Sequence, residues 1–215
     1  MASAGRYTLK CEEVVTALPI YFFLKNGLIA TDPQLKRNLK EVKHVIEGYS
    51  KLQTLFYTQV DDPSVMFVIG AWESKEMHQH GFSGSPEQNK ILSLVKDQMD
   101  IDWMHYIDVD QARLPLDARV LVIVKAVVPR ETHKRIFDQD FAAGTSSLGG
   151  ARYGALAAWN IPKDDNEDVV RVHFSGWDNV EEATEGIANT VEHTQRMRAR
   201  PEELNFFFTE RSELD

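Results

Sequence analysis

Gly70-Ala71-Trp72-Glu73 and Ser175-Gly176-Trp177-Asp178 stand 105 positions apart, and each closes an apolar run, Met66 to Ile69 in one case and Val169 to Phe174 in the other. The same shift lays Val120 to Val128 over Val15 to Phe23. Short runs rich in β-branched and aromatic residues, ended by Pro or Gly, have the composition of strands buried on both faces. With small gaps, Lys51 to Gln59 matches Ala151 to Trp159, and Trp103 to Ile107 matches Leu204 to Phe208. Each half then reads strand, helix, strand, hairpin, strand, helix, strand. Self-similarity at a fixed period points to an α+β chain built from two copies of one module, residues 1–112 and 113–215.

Local chemistry marks where the helices begin. Thr31-Asp32-Pro33-Gln34 offers capping side chains and a proline for the first turn, after which Leu35, Leu39, Val42, Ile46 and Tyr49 share one face. Gly48 reads as its stop. Ser85-Pro86-Glu87-Gln88 is a second start, a capping box followed by Ile91, Leu92, Val95 and Met99. In the second half, Val180 to Met197 is helical by pattern, with Asn179 as cap and Glu182 three residues on. Asp61-Asp62-Pro63 reads as a hairpin turn. The acidic stretch from Pro162 to Asp168 lacks the ligand alternation and central glycine of a calcium loop and reads as a solvated turn. Gly144, Gly149 and Gly150 read as loop glycines.

A chain of 215 residues is long enough to bury roughly 70% of its unfolded surface without disulfides or structural metal. The single cysteine, Cys11, cannot form an intrachain bridge and fits a reducing compartment. The longest apolar stretch, Ala17 to Leu24, is too short to span a bilayer, and the first fifteen residues hold no apolar run of signal-peptide length, so a soluble cytoplasmic protein is expected. A net charge of −9 repels phosphate backbones, and no basic cluster interleaved with aromatics offsets it, which argues against nucleic acid as a partner.

The order of elements, with Trp72-Glu73-Ser74-Lys75-Glu76 echoed by Trp177-Asp178-Asn179-Val180-Glu181, resembles the dimeric α+β barrel superfamily. The likeness is greatest to its antibiotic-biosynthesis-monooxygenase and stress-responsive barrel families. The resemblance implies tandem ferredoxin-like modules, antiparallel sheets closing one barrel and helices outside, with closure achieved inside a single chain. It also implies a wide range of chemistries: cofactor-free monooxygenases, haem-degrading enzymes, polyketide cyclases, dehydratases, decarboxylases and proteins with no catalytic role. A shared fold does not choose among them.

The candidate site comes from comparing the two halves. Val180, Ala183 and Ile187 share one helix face, and the shift carries them to Lys75, His78 and Phe82, so that His78 turns inward where its counterpart is Ala183. His80 diverges from that face on a regular helix, yet the histidine in the resembled families often falls slightly later than His78, which keeps His80 as the alternative. An imidazole in a partly apolar pocket is suited to relaying a proton. Tyr57 and Tyr153, at nearly matching places in the two halves, are candidate phenolic donors to a carbonyl or enol, and His173 is a further catalytic candidate on a strand. Gly154, Ala155, Ala157 and Ala158 leave room, and Trp72, Phe82, Trp103, His105, Trp159, Trp177 and the run Phe206 to Phe208, Phe207 above all, supply aromatic and polar walls for a substrate. His44 and His133 read as surface residues.

No glycine-rich phosphate loop, nucleophile elbow, or cysteine with an adjacent base is present, and the histidine spacings do not converge on a metal. The expected protein is therefore an enzyme using no cofactor and no metal, acting by acid–base cyclisation, isomerisation or elimination on a hydrophobic polyketide- or terpenoid-like intermediate. Two alternatives stand beside it: a cofactor-free monooxygenase on such a substrate, and a non-catalytic stress-related or binding protein. Exposed sheet edges leave room for a homodimer.

Overall fold

The computed structural model describes residues 16–132, 134–145, 150–162 and 167–214. Cys11, His133, Gly149 and most of the acidic stretch before Asp168 lie outside them.

The described chain runs β1 (Thr16–Leu24), α1 (Pro33–Ser50), β2 (Leu55–Gln59), β3 (Val65–Trp72), a π-helical turn (Met77–Phe82), α2 (Pro86–Val95), β4 (Met99–Met104) and β5 (Tyr106–Ile107). It continues with β6 (Val120–Val128), α3 (Lys134–Thr145), β7 (Ala155–Ile161), β8 (Val169–Trp177), α4 (Val180–Thr194) and β9 (Glu203–Arg211). The strands pair in the order β3-β2-β9-β6-β8-β7-β5-β1, and β1 pairs back onto β3, so the sheet closes on itself. Every pairing is antiparallel. β4 and β5 lie along the same edge of β1, with Ile20 opposite Met104 and Ala17 opposite Ile107, and so occupy one position of an eight-position barrel. The break between them falls at His105, whose N–H donates to the Pro19 carbonyl at 3.3 Å. Proline has no N–H to return, and the ladder lapses there.

Closure depends on two seams. β2 meets β9 over Tyr57 to Gln59, and β5 meets β7 through Tyr106–Ile161 and Ile107–Asn160. Ser212 and Leu214 fasten the first seam: the Ser212 N–H donates to the Phe56 carbonyl at 2.9 Å, and Leu214 is buried among side chains of the first half.

Alternation along the strands sorts the core into three compartments. The barrel interior holds Tyr57, Phe67, Ile107, Ile123, Val172 and Phe174, with Tyr21, Trp103 and Phe207 packed against them. Tyr21 stacks on Trp103 at 5.6 Å and Phe67 meets Phe207 at 5.1 Å, so aromatic rings fill the space that the strands surround. The opposite sheet face is covered twice. α1 and α2 bury Leu35, Leu39, Val42, Ile46, Ile91 and Val95 against β1, β2 and β3. α3 and α4 bury Phe137, Phe141, Ala183 and Ile187 against β6 and its neighbours.

The helix starts follow the caps. Asp32 accepts from the Gln34 and Leu35 N–H groups, Ser85 accepts from Gln88, and Asn179 exchanges hydrogen bonds with Glu182. The stops differ from the sequence expectation. α1 runs past Gly48 to Ser50 and ends on Lys51, which takes the left-handed conformation at φ 62° and donates its N–H to Glu47. Gly144 belongs to the last turn of α3 and is no loop glycine. α4 stops at Thr194, short of Met197. On α2, Leu92 turns outward and is 43% exposed, leaving Ile91 and Val95 to face the sheet.

Candidate functional site

The segment after Trp72 is a π-helical turn and not the expected α-helix. Ser74 Oγ accepts the Met77 N–H at 3.1 Å, and the Ser83 N–H reaches back five residues to the His78 carbonyl at 2.8 Å. Such turns are frequent at functional sites. This one buries His78 and Phe82, 5% and 3% exposed, while His80 points to solvent. His80 accordingly lies outside every enclosed compartment, as the divergence of neighbouring helix positions dictates.

His78 packs edge-on to Trp72 at 4.6 Å, lies 5.8 Å from Phe82, and places Nδ1 2.6 Å from the hydroxyl of Tyr106. Tyr106 is 1% exposed, and burial, reinforced by the negative charge of Glu167, pushes its phenol up to about 12. The hydroxyl therefore stays protonated at neutral pH and can either donate to Nδ1 or accept from it. That choice sets whether Nε2 carries a proton or a lone pair. Lys75, whose Nζ donates to the Pro162 carbonyl at 2.5 Å, lies over the Tyr106 ring at 5.8 Å.

Sequence reading missed Tyr106, although the signal was present. Once His105 is placed on the face of Trp103 and Ile107, alternation turns Tyr106 to the helix-covered face, where His78 waits. The two phenols expected to serve His78 are elsewhere. Tyr57 lies inside the barrel, across the sheet from the imidazole; its hydroxyl has no partner among the described residues, and burial pushes it up to about 12. Tyr153 is 37% exposed and donates to Asp178 at 2.9 Å, beside the Arg152–Asp178 ion pair, so it belongs to a surface network.

The remaining candidates divide the same way, so the expected single pocket does not exist as such. Trp103, His105 and Phe207 belong to the barrel interior, where His105 stacks on Trp103 at 5.2 Å and sits 3.2 Å from Glu167 Oε1. Trp159, His173 and Trp177 belong to the layer under α3 and α4. His173 lies 5.9 Å from Phe141, its Nδ1 has no partner among the described residues, and burial, aided by the charge of Arg171, lowers it to about 4. It is a neutral imidazole at physiological pH. Trp177 donates its indole N–H to Ser175 at 2.9 Å and lies against α4. α4 also carries His193, whose side chain is outside the described residues. Among the described residues no group of three or more His, Cys, Asp or Glu side chains is placed to hold a metal ion.

An apolar cleft of about 90 Å³ opens in the same layer as His78, between α1, α2 and the sheet. Ile20, Phe22, Val42, Val68, Ile91 and Ile101 are among its walls.

No protein-family model matches this chain, and no curated protein matches it in sequence. Solved structures do. The chain is similar to an anthrone oxidase-like protein at 12% identity, covering 94% of this chain and 92% of that one with a TM-score of 0.66. A candidate monooxygenase of Fusobacterium nucleatum superposes at 9% identity over 93% and 94% of the two chains, TM-score 0.61. An arginine-to-alanine mutant of the chlorite dismutase of Candidatus Nitrospira defluvii does so at 12% identity over 95% and 93%, TM-score 0.57. At such identities the likeness speaks for architecture alone. The fold is that of the dimeric α+β barrels, closed here within one chain. Among the described residues no helix is long and apolar enough to cross a membrane.

Proposed function

We propose that this chain is an enzyme that needs no cofactor and moves protons on a hydrophobic, enolisable small molecule in the α1/α2-covered layer. His78 is the acid–base group and Tyr106 the hydroxyl that fixes its tautomer. The observation that carries this reading is the buried His78–Tyr106 hydrogen bond at 2.6 Å, set on a π-helical turn among apolar side chains. The imidazole exchanges a proton with the substrate, and the phenol held at Nδ1 sets its tautomer. Cyclisation, isomerisation or elimination of a polyketide- or terpenoid-like intermediate all begin with such a transfer. We read the chain as two modules, 1–112 and 113–215. Support comes from the matching neighbour orders β2-β3-β1-β5 and β7-β8-β6-β9, and from the seams that join them. In this reading only the first module keeps a histidine at the inward position, since Ala183 fills the corresponding place in the second.

A monooxygenase reading is favoured by the similarity to proteins named for oxidation. There the carbanion formed by His78 reacts directly with oxygen, as in conversion of an anthrone and O₂ to the quinone and water. Anthrone therefore tests both. Deuterium exchange at its methylene carbon under anaerobic conditions reports proton transfer, and oxygen uptake reports oxidation. Both should fall about 10²- to 10⁴-fold in His78→Ala. Full exchange retained by that variant overturns the assignment, and exchange without oxygen uptake removes the monooxygenase reading.

A further inference from the structure

The cleft in the layer that α1 and α2 cover has a chemical character of its own. Every side chain that lines it is apolar, and its volume is about 90 Å³. A water molecule needs two to four polar partners to be held in such a place, and an apolar cavity without them stays dry and takes hydrocarbon. Its lips are Leu92 on α2 and Ile101 on β4, 43% and 54% exposed, so the apolar surface continues from the interior to solvent. The wall that carries Ile101 is a strand paired on one side, β4 holding only to β1 among the described residues. Ile20, another of its walls, belongs with Tyr106 and Phe82 to the same buried cluster.

We infer that this cleft seats an unbranched alkyl chain of the substrate, entering past Leu92 and Ile101, while the functional head lies at His78 and Tyr106. The placing of the head rests on the proposed function; the seating of the chain does not. Size selects a slender chain, because an apolar cavity of roughly 150 Å³ takes one benzene ring and this one is smaller. Fused rings stay outside and a few methylenes enter. Each buried methylene is worth about fourfold in affinity.

The test uses straight-chain methyl ketones from butanone to decanone, titrated against the full chain with binding read by ligand-observed NMR. Affinity should rise about fourfold per methylene over about three or four carbons and then level off. Val42→Phe on α1 and Ile91→Phe on α2, each filling the cleft from a different helix, should flatten that dependence, and Ile91→Ala should move the plateau to longer chains. His78→Gln should leave the slope in place. A flat series in the unmodified protein, or an unchanged slope in both filled variants, overturns the inference. A normal slope combined with full anthrone exchange by His78→Ala retains the cleft and rejects the proposed function; the converse pairing does the reverse.

Discussion

Gly186 lies against the outer benzo edge of the indole of Trp177: a methyl group built on its α-carbon would land 2.0 Å from the ring. Glycine on a helix interior costs roughly 0.5–1 kcal/mol relative to alanine, and here the missing side chain is what lets α4 approach the sheet. Gly186→Ala should therefore destabilise the protein by about 1–3 kcal/mol, measured by urea unfolding, because a rigid ring must move. Gly81, 105 positions earlier, is the control. Its added methyl would meet only the Tyr49 hydroxyl, at 3.1 Å, the far end of a half-buried side chain. Gly81→Ala should change stability by less than about 1 kcal/mol.

Two buried phenols should respond in opposite ways to loss of the hydroxyl. Tyr106→Phe leaves His78 Nδ1 without the partner it has at 2.6 Å, and should cost about 1–3 kcal/mol, while shifting the pH profile of anthrone exchange by releasing the imidazole tautomer. Tyr57→Phe removes a hydroxyl that has no partner among the described residues and should be neutral or stabilising. Equal losses from both substitutions would show that the Tyr106 contact has no special weight.

His173 should make the protein acid-sensitive. Its imidazole is lowered from 6.5 to about 4 by burial and by Arg171, so between those values the unfolded chain binds a proton that the folded chain refuses. The stabilisation is complete above pH 6.5, declines as pH falls, and is exhausted once pH passes through about 4. Its full size is on the order of 3 kcal/mol. Urea unfolding from pH 4 to 7 should show this slope in the natural chain and lose much of it in His173→Leu; identical slopes would place the acid sensitivity elsewhere.

The strands and caps were legible because their signals are local. An apolar run such as Val120 to Val128 cannot be solvated, and Asp32, Ser85 and Asn179 satisfy helix N–H groups two or three residues away. His78 was found by transferring the face of α4 onto the first half, and its burial agrees with that transfer. What escaped was non-local. Nothing in the spacing of Tyr57 or Tyr153 tells which side of a closed sheet each will face, and that side separates Tyr57 from His78. Alternation along Trp103, His105 and Ile107 gives the face of Tyr106, but its contact with His78, 28 residues away, is non-local. The π-helical turn was hidden because no local sequence signal marks the five-residue hydrogen bond from Ser83 to the His78 carbonyl, in a turn whose Phe82 packs on Tyr49 of α1 at 5.1 Å.

Because β2 and β5 find their outer neighbours only in β9 and β7, a nascent chain must wait for them. Synthesis at about 5–20 residues per second delivers the last hundred residues over roughly 5–20 s. Until β7 and then β9 are made, the N-terminal half emerges from the ribosome with raw strand borders, each a template for pairing with another chain. Chaperone demand during translation, more than the equilibrium stability of the finished barrel, should decide how well this protein is produced.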